Sequence, residues 1–231
     1  MAKTVLGVIG GSGVYDIAGL EHARWDRVVS PWGEPSDQLL FGRLAGVDMI
    51  FLPRHGRGHI HSPTTINYRA NIDALKRAGA TDLISVSACG SFREHLAPGT
   101  FAIVDQFIDR THAREKSFFG KGFVAHVSMA HPICPKLADA LVAMVTDFDC
   151  WHPDHDHVTV DQVIKVLTAN ADNARRLIAR AAPKLGPERT PSPLGIEHVL
   201  DTAVITSYDK RDPALFEKLD AVAGRVLRKK F

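Results

Sequence analysis

Apolar runs that stop at glycine, serine or a charged residue punctuate this chain, and amphipathic stretches separate them. Thr4 to Ile9 is a β-branched, apolar run that predicts a buried strand, and it runs straight into Gly10-Gly11-Ser12-Gly13. Leu39–Leu44 and Asp48–Pro53 predict a hairpin turning at residues 45–47. Ile66, Ala70, Ile72, Ala74 and Leu75 form a stripe that predicts a helix over 63–78, stopped by Gly79. Thr81–Val86 and Phe101–Val104 are the next expected strands. Residues 111–127 lack periodicity and read as a long loop carrying Phe118, Phe119, Phe123 and His126. Such aromatics fit a lid, a subunit interface or ordinary packing beneath the loop. Pro135–Val142 predicts a helix that passes, with no turn residue between, into a strand at 143–145 and the stretch Met144–Trp151. Thr159 caps a predicted helix through 182, with Val160, Val163, Ile164, Leu167, Ala171, Ala174, Leu177 and Ile178 as its apolar stripe. A proline-rich linker over 183–195 follows, then a segment of open type at 203–206. Asp212-Pro213 starts a last helix with Leu215, Leu219, Val222 and Val226 on one face.

Composition narrows the class. With 231 residues, 45% of them hydrophobic and 23% charged, the chain has an ordinary globular make-up. A net charge of +2, with basic residues clustered only at the tail, excludes a nucleic-acid footprint. Cys89, Cys134 and Cys150 form no CxxC pair and leave one over, which fits a reducing, cytoplasmic setting. The Val5–Ile9 run is too short for a signal peptide, and no run reaches the length of a membrane span. Cys150, His152, His155 and His157 match no standard zinc spacing, and the intervening proline and aspartates suit a polar turn, so no metal is expected.

The chemistry gathers at strand ends. A buried strand ending in glycines converges backbone N–H groups on an anion. A dinucleotide fingerprint would need glycine where Asp16 stands, and there is no Walker A sequence. That leaves a phosphate-sized anion near Ser12. The strand ending at Pro53 delivers Arg54 and His55, and a guanidinium fork matches phosphate. The strand ending at Val86 delivers Ser87-Ala88-Cys89-Gly90-Ser91. Asp147 and Asp149, two apart on the Met144–Trp151 strand, share one face. Two acids on a buried strand are costly unless a site uses them. In parallel α/β sheets ligands sit beyond the carboxyl ends of strands, so these groups are expected to converge.

Taken together, Val8-Ile9-Gly10-Gly11-Ser12-Gly13, Pro53-Arg54-His55-Gly56, Ser87–Ser91, Asp105–Arg110 and Thr146–Trp151 resemble the 5'-methylthioadenosine phosphorylases. These belong to the trimeric branch of the purine nucleoside phosphorylase family. The resemblance covers nearly the whole chain, with its motifs in family order. It implies a single α/β domain over 1–231, with a twisted, mixed central β-sheet flanked by helices and assembled as a homotrimer. It implies phosphate-dependent cleavage of the N-glycosidic bond of methylthioadenosine, giving adenine and 5-methylthioribose 1-phosphate. No cofactor is implied beyond inorganic phosphate as co-substrate. Residue by residue, Ser12, Arg54, His55 and Ser87 stand at phosphate-binding positions, Ser87 where the family usually has threonine. Ala88 stands against the base, Asp147 and Asp149 read the purine, Val160 and Val163 line the methylthio pocket, and His126 is lent by the neighbouring subunit. Adenine leaves well only once its N7 is protonated. A carboxyl group supplies that proton when burial and a second acid raise its proton affinity. Asp149 is assigned to N7. Asp147 then accepts from the 6-amino group, which favours an aminopurine over a 6-oxopurine.

One departure accompanies the match. In the family a further segment stands between the helix at 135–142 and the strand at 143–149. It carries a Glu-Gly-Pro motif, an aromatic that stacks on the base and a Met-Thr pair that touches ribose and phosphate. Here Val142 is followed directly by Ala143. Two alternatives to the phosphorylase therefore stand: a homologue that only binds or assembles, lacking its ribose floor, and a phosphorylase of 6-oxopurine nucleosides.

Overall fold

A computed structural model describes residues 2–229 except 12, 139–141 and 149–159; the side chains at 138, 142, 143, 160–164 and 167 are also outside it. Seven strands form one mixed sheet in the order β2-β3-β4-β1-β5-β7-β6. They are β1 (Val5–Gly10), β2 (Glu21–Asp26), β3 (Leu39–Leu44), β4 (Val47–Pro53), β5 (Asp82–Gly90), β6 (Phe101–Ala102) and β7 (Val142–Asp147). β4, β1, β5 and β7 run parallel, whereas β3, β2 and β6 pair antiparallel at the two edges. The four parallel strands therefore end on the same side.

Alternation sorts the strand residues between two layers. Leu6 and Val8 of β1, with Met49 and Phe51 of β4, pack toward Ala174, Ile178 and Ala182 of α3 (Val160–Leu185). Ile9, Ile50 and Leu52 point the other way, onto Ala74 and Leu75 of α1 (Tyr68–Arg77). Both faces are thus covered, as a central parallel sheet requires. Each such large apolar side chain contributes roughly 1.5–3 kcal/mol on burial. α4 (Phe216–Leu227) builds a third cluster, in which Phe123 is fully buried and Phe118 and Phe119 pack against it. For these three aromatics of the long loop, ordinary packing is the outcome.

Several expectations need correction. β5 runs on through Gly90, so Ser87, Ala88 and Cys89 lie in a strand and not in a turn beyond it. The reason is a partner: β7 pairs with Val86–Gly90, with one register shift between Cys89 and Gly90, and keeps that backbone extended. β2 has no apolar run to announce it, because its residues are almost all exposed. The helix expected at 63–78 starts later, at Tyr68, where the Asn67 side chain accepts from the Ala70 N–H. The strand expected over 101–104 stops at Ala102, since only Phe101 and Ala102 find partners on β7. The helix expected over 135–142 is described only as α2 (Pro135–Ala138), and Val142 already belongs to β7. α3 continues into the expected linker and ends at Leu185. Asp212 caps the final helical segment through the Ala214 N–H, as expected. Among the described residues no helix is long and apolar enough to cross a membrane.

Candidate active site at the ends of the parallel strands

The pairing registers place the expected groups side by side. Gly10 of β1 is level with Pro53 of β4, and the Arg54 N–H donates to the Gly10 carbonyl at 2.8 Å. Gly90 of β5 is level with Asp147 of β7, and the Ser91 N–H donates to the Asp147 carbonyl at 2.9 Å. Four strand ends thus form one rim, carrying the glycine loop, Arg54, the Ser87–Gly90 stretch and Asp147.

Arg54 is the hub of the anion side. Its Nη1 donates to Ser87 Oγ at 2.9 Å, and its Nε donates to His55 Nε2 at 3.2 Å. Among the described residues Nη2 takes no partner. Partial burial pushes the guanidinium below its ordinary value, with the Tyr68 hydroxyl opposing. It stays charged at neutral pH because arginine lies so far above it. A half-buried cation with an open edge is a ready anion contact. His55 is buried, and its Nδ1 bonds the His61 carbonyl at 2.8 Å.

The turn that carries these side chains has little room. Gly56 sits at φ +73°, and a Cβ there would meet the Ser36 carbonyl at 2.9 Å. Only glycine satisfies both conditions. Asp37 fastens the same turn, accepting from the Arg57 N–H, Nε and Nη2. Hydrogen bonds to Arg57 hold its carboxyl below the usual carboxylate range, against the opposing effect of burial.

On the base side, Asp147 is half-buried, while its neighbours Thr146 and Phe148 are buried. That is the alternation expected of the strand. The Thr146 hydroxyl donates to Asp147 Oδ2 at 2.7 Å. Burial, then the charge of Asp147, push the Cys89 thiol up. Ala88 is exposed on β5 beside Ser87, open to a ligand. His126 is exposed, its N–H donating to the Ala203 carbonyl at 2.8 Å.

The structure thus brings together Arg54, His55, Ser87, Ala88 and Asp147. Ser12 and Asp149 lie outside the described residues, as does the Cys150–His157 stretch. Val160 and Val163 fall in the first turn of α3, with their side chains outside the description. His126 stands apart, in the long loop. Among the described residues no group of three or more metal-ligating side chains occurs.

Two positioning residues escaped the sequence reading. Arg175 Nη1 donates to the Gly13 carbonyl at 2.5 Å and ties α3 to the glycine loop, where Gly13 sits at φ +89°. Asn170 Nδ2 donates to the Val145 carbonyl at 3.1 Å and ties α3 to β7. Both stand among the apolar stripe positions of their helix, and a polar residue on a buried stripe is the signal that could have found them. The helix therefore clamps both halves of the rim. A separate groove of about 570 Å³ lies along Arg176, Leu177, Arg180 and Lys184. It sits toward the amino ends of the strands, where its lining Lys136 reaches Asp82, the first residue of β5. It shares no residue with the rim.

The sequence profile of the Phosphorylase superfamily matches residues 5–166. The S-methyl-5'-thioadenosine phosphorylase of Bradyrhizobium diazoefficiens is 50% identical over 290 residues, spanning 99% of this chain and 100% of that protein. The enzyme of the same name from Cereibacter sphaeroides is 51% identical over 288 residues, spanning 98% and 99%. These spans exceed the 231 residues here, so part of each relative has no counterpart in this chain. Among solved structures, a methylthioadenosine phosphorylase from an antarctic soil metagenomic library superposes with a TM-score of 0.86 at 34% identity, covering 94% of this chain and 98% of that one.

Proposed function

Because the chain belongs to the phosphorylase superfamily, we propose that it cleaves 5'-methylthioadenosine with inorganic phosphate, releasing adenine and 5-methylthioribose 1-phosphate. The observation that carries this reading is the shared rim. A cationic fork at Arg54 and a carboxylate at Asp147 stand at the ends of strands in one parallel set.

In this mechanism a phosphate dianion rests against the Arg54 Nη2 edge, the Ser87 hydroxyl and the amides of the glycine loop around Ser12. A phosphate oxygen attacks C1' as the bond to N9 breaks, through an oxocarbenium-like state. The proton gained by the departing base balances the one given up by phosphate. Asp149 delivers a proton to N7, and Asp147 accepts from the 6-amino group. Fixed charges cost no reorganisation at the moment of reaction, which is where such a site gains most. The reaction moves a glycosyl group and a proton, with no electron transfer, so it calls for no redox cofactor. Ala88 lies along the base, and Val160 and Val163 line the methylthio end.

Val127 and Met129, beside His126 in sequence, are exposed, as are Ile103, Phe107 and Ile108. They support a homotrimer in which that histidine reaches a neighbour's site, and the unpaired cysteines Cys89 and Cys134 fit the cytoplasm. Light scattering on the purified protein tests the assembly.

A second reading has its own observation. The relatives' matched spans are longer than this chain, and β5 pairs directly with a β7 that begins four residues after α2. A homologue lacking its ribose floor would bind ligand without turnover. Chromatography of methylthioadenosine incubated with the intact chain, with and without phosphate, separates the two. Phosphate-dependent adenine supports the phosphorylase, and its absence at a confirmed mass of 25.3 kDa sinks it. Inosine in a parallel assay tests the 6-oxopurine alternative.

A further inference from the structure

We infer that the groove between α2 and α3, toward the amino ends of the parallel strands, receives an acidic amphipathic helix of a partner protein. The inference is independent of the phosphorylase reading. Two rows of α3 side chains line the groove. Arg176, Arg180 and Lys184 recur at every fourth position, and so do Leu177, Ala181 and Leu185 one place along. At about 1.5 Å of rise per residue, successive members of a row stand roughly 6 Å apart. The rows are neighbouring ridges of one helix surface. The apolar row is anchored, because Leu177, Ala181 and Leu185 pack into the core that α3 shares with the sheet. The cationic row is exposed. Lys136 of α2 adds a fourth charge from the far wall, its Nζ donating to the Thr190 carbonyl at 2.5 Å.

The row is not balanced from within. Arg175, next in sequence, pairs with Asp172. Asp82, the buried acid that Lys136 approaches to 3.9 Å, is held by Arg189 at 3.0 Å. Among the described residues Arg176, Arg180 and Lys184 have no ion-pair or hydrogen-bond partner. Like charges at this spacing destabilise a helix, and a facing row of anions reverses that. The arrangement of the rows sets the chemistry of the occupant. A fatty acid or lipid carries its charge at one end, whereas charge and apolar surface here run side by side along the groove. Among the described lining residues none is aromatic, so nothing stacks a nucleobase. A flat bilayer does not reach a floor recessed between two helices. A helix with leucines and glutamates in adjacent rows repeats both rows at the same pitch, and it enters by its apolar face. Among the described residues the other long helices, α1 and α4, already bury their apolar faces, so the occupant is another protein.

Fluorescence anisotropy of the full chain with a labelled synthetic helix of that leucine–glutamate pattern tests this. Binding is expected, and it weakens as salt rises. Combining Arg176→Glu, Arg180→Glu and Lys184→Glu weakens it roughly tenfold or more, and a peptide with lysines in place of its glutamates then prefers the variant to the parent. All three positions are exposed and away from the rim, so thermal unfolding and the KM for phosphate stay unchanged. A scrambled peptide of the same composition binds roughly tenfold more weakly, because it cannot present both rows at once. Equal binding of the scrambled peptide, no response to the three reversals, or no binding at all overturns the inference. Displacement of the peptide by inorganic tripolyphosphate overturns it in favour of a small-anion site. Binding to anionic phospholipid vesicles that the reversals abolish overturns it in favour of a membrane contact. Self-association in sedimentation that the reversals abolish overturns it in favour of a contact between copies of this chain.

Discussion

The two halves of the rim are held in different ways. On the anion side, Arg54 is fixed at two nitrogens, its loop is closed by His55 and His61, and Asp37 fastens the turn from outside. Apart from Asp37, which lies in the loop between β2 and β3, those contacts join β5 to the loop that follows β4. On the base side, Asp147 depends on β7, a strand near the sheet edge held by β5, by the two residues of β6 and by Asn170 of α3. Around Arg54 the anion side is therefore supported mainly from its own loop, with α3 reaching it only at Gly13, and the base side takes more of its shape from neighbours. Any residues that the longer relatives add are expected to affect the second half more than the first.

That contrast breaks most visibly at Arg54. Replacing it with alanine removes a fixed cation from the attacking phosphate and is expected to lower phosphorolysis about 10²–10³-fold. Thermal unfolding should barely change, because the side chain sits at a rim. A loss of less than tenfold in phosphate-dependent turnover would show that another group holds the anion.

Asp147→Asn comes next. An amide donates where the carboxylate accepts, so it opposes the adenine 6-amino group and suits a 6-oxo group. A fall of roughly ten- to hundredfold in the ratio of adenosine-type to inosine-type turnover is expected, from the worth of one hydrogen bond to a charged group. An unchanged ratio would move base recognition away from β7. The KM for phosphate should stay put, since none of the contacts that hold Arg54 involves Asp147.

Arg175→Ala gives a smaller effect that crosses the divide. It frees the Gly13 carbonyl from α3 and is expected to raise the KM for phosphate a few-fold, consistent with about 1 kcal/mol for one hydrogen bond. Asn170→Ala, on the same helix, should disturb Asp147 and leave the phosphate KM alone. If both variants change the same parameter, α3 acts as a single unit on the whole rim.

The parallel core was legible because β1 and β4 are buried on both faces and read as unbroken apolar runs. Gly10, Arg54 and Ser87 followed from them, each placed just after such a run or, for Ser87, within its continuation. β2 was not legible, since its exposed residues carry no hydrophobic signature and only pairing with β3 makes it a strand. The extension of β5 through Ser87–Gly90 was hidden for a related reason: small residues look like a turn until a partner strand binds their backbone. Arg175 and Asn170 were visible as polar breaks in a stripe. What they bond depends on tertiary contacts 162 and 25 residues away in sequence.

The least expected effect lies outermost, at Asp37. Its carboxylate meets the Arg57 N–H and guanidinium, and its folded proton affinity is below the ordinary 3.8. A carboxyl depressed on folding stabilises the protein above the unfolded value, and that contribution is lost as pH falls through the folded one. The window is therefore acidic, below about pH 4. Arg57 is substantially exposed, so solvent screening limits the ion pair to about 1 kcal/mol. Asp37→Asn should lower the midpoint of thermal unfolding slightly at neutral pH, and the difference from the parent should shrink as pH falls through that window. Phosphate affinity should change less than in Arg54→Ala, because the variant loosens the turn from outside while the Arg54–His55–Ser87 contacts remain. An equal loss of phosphate affinity in the two variants would mean that the anion side depends on its outer fastening, and the self-support that separates it from the base side would be gone.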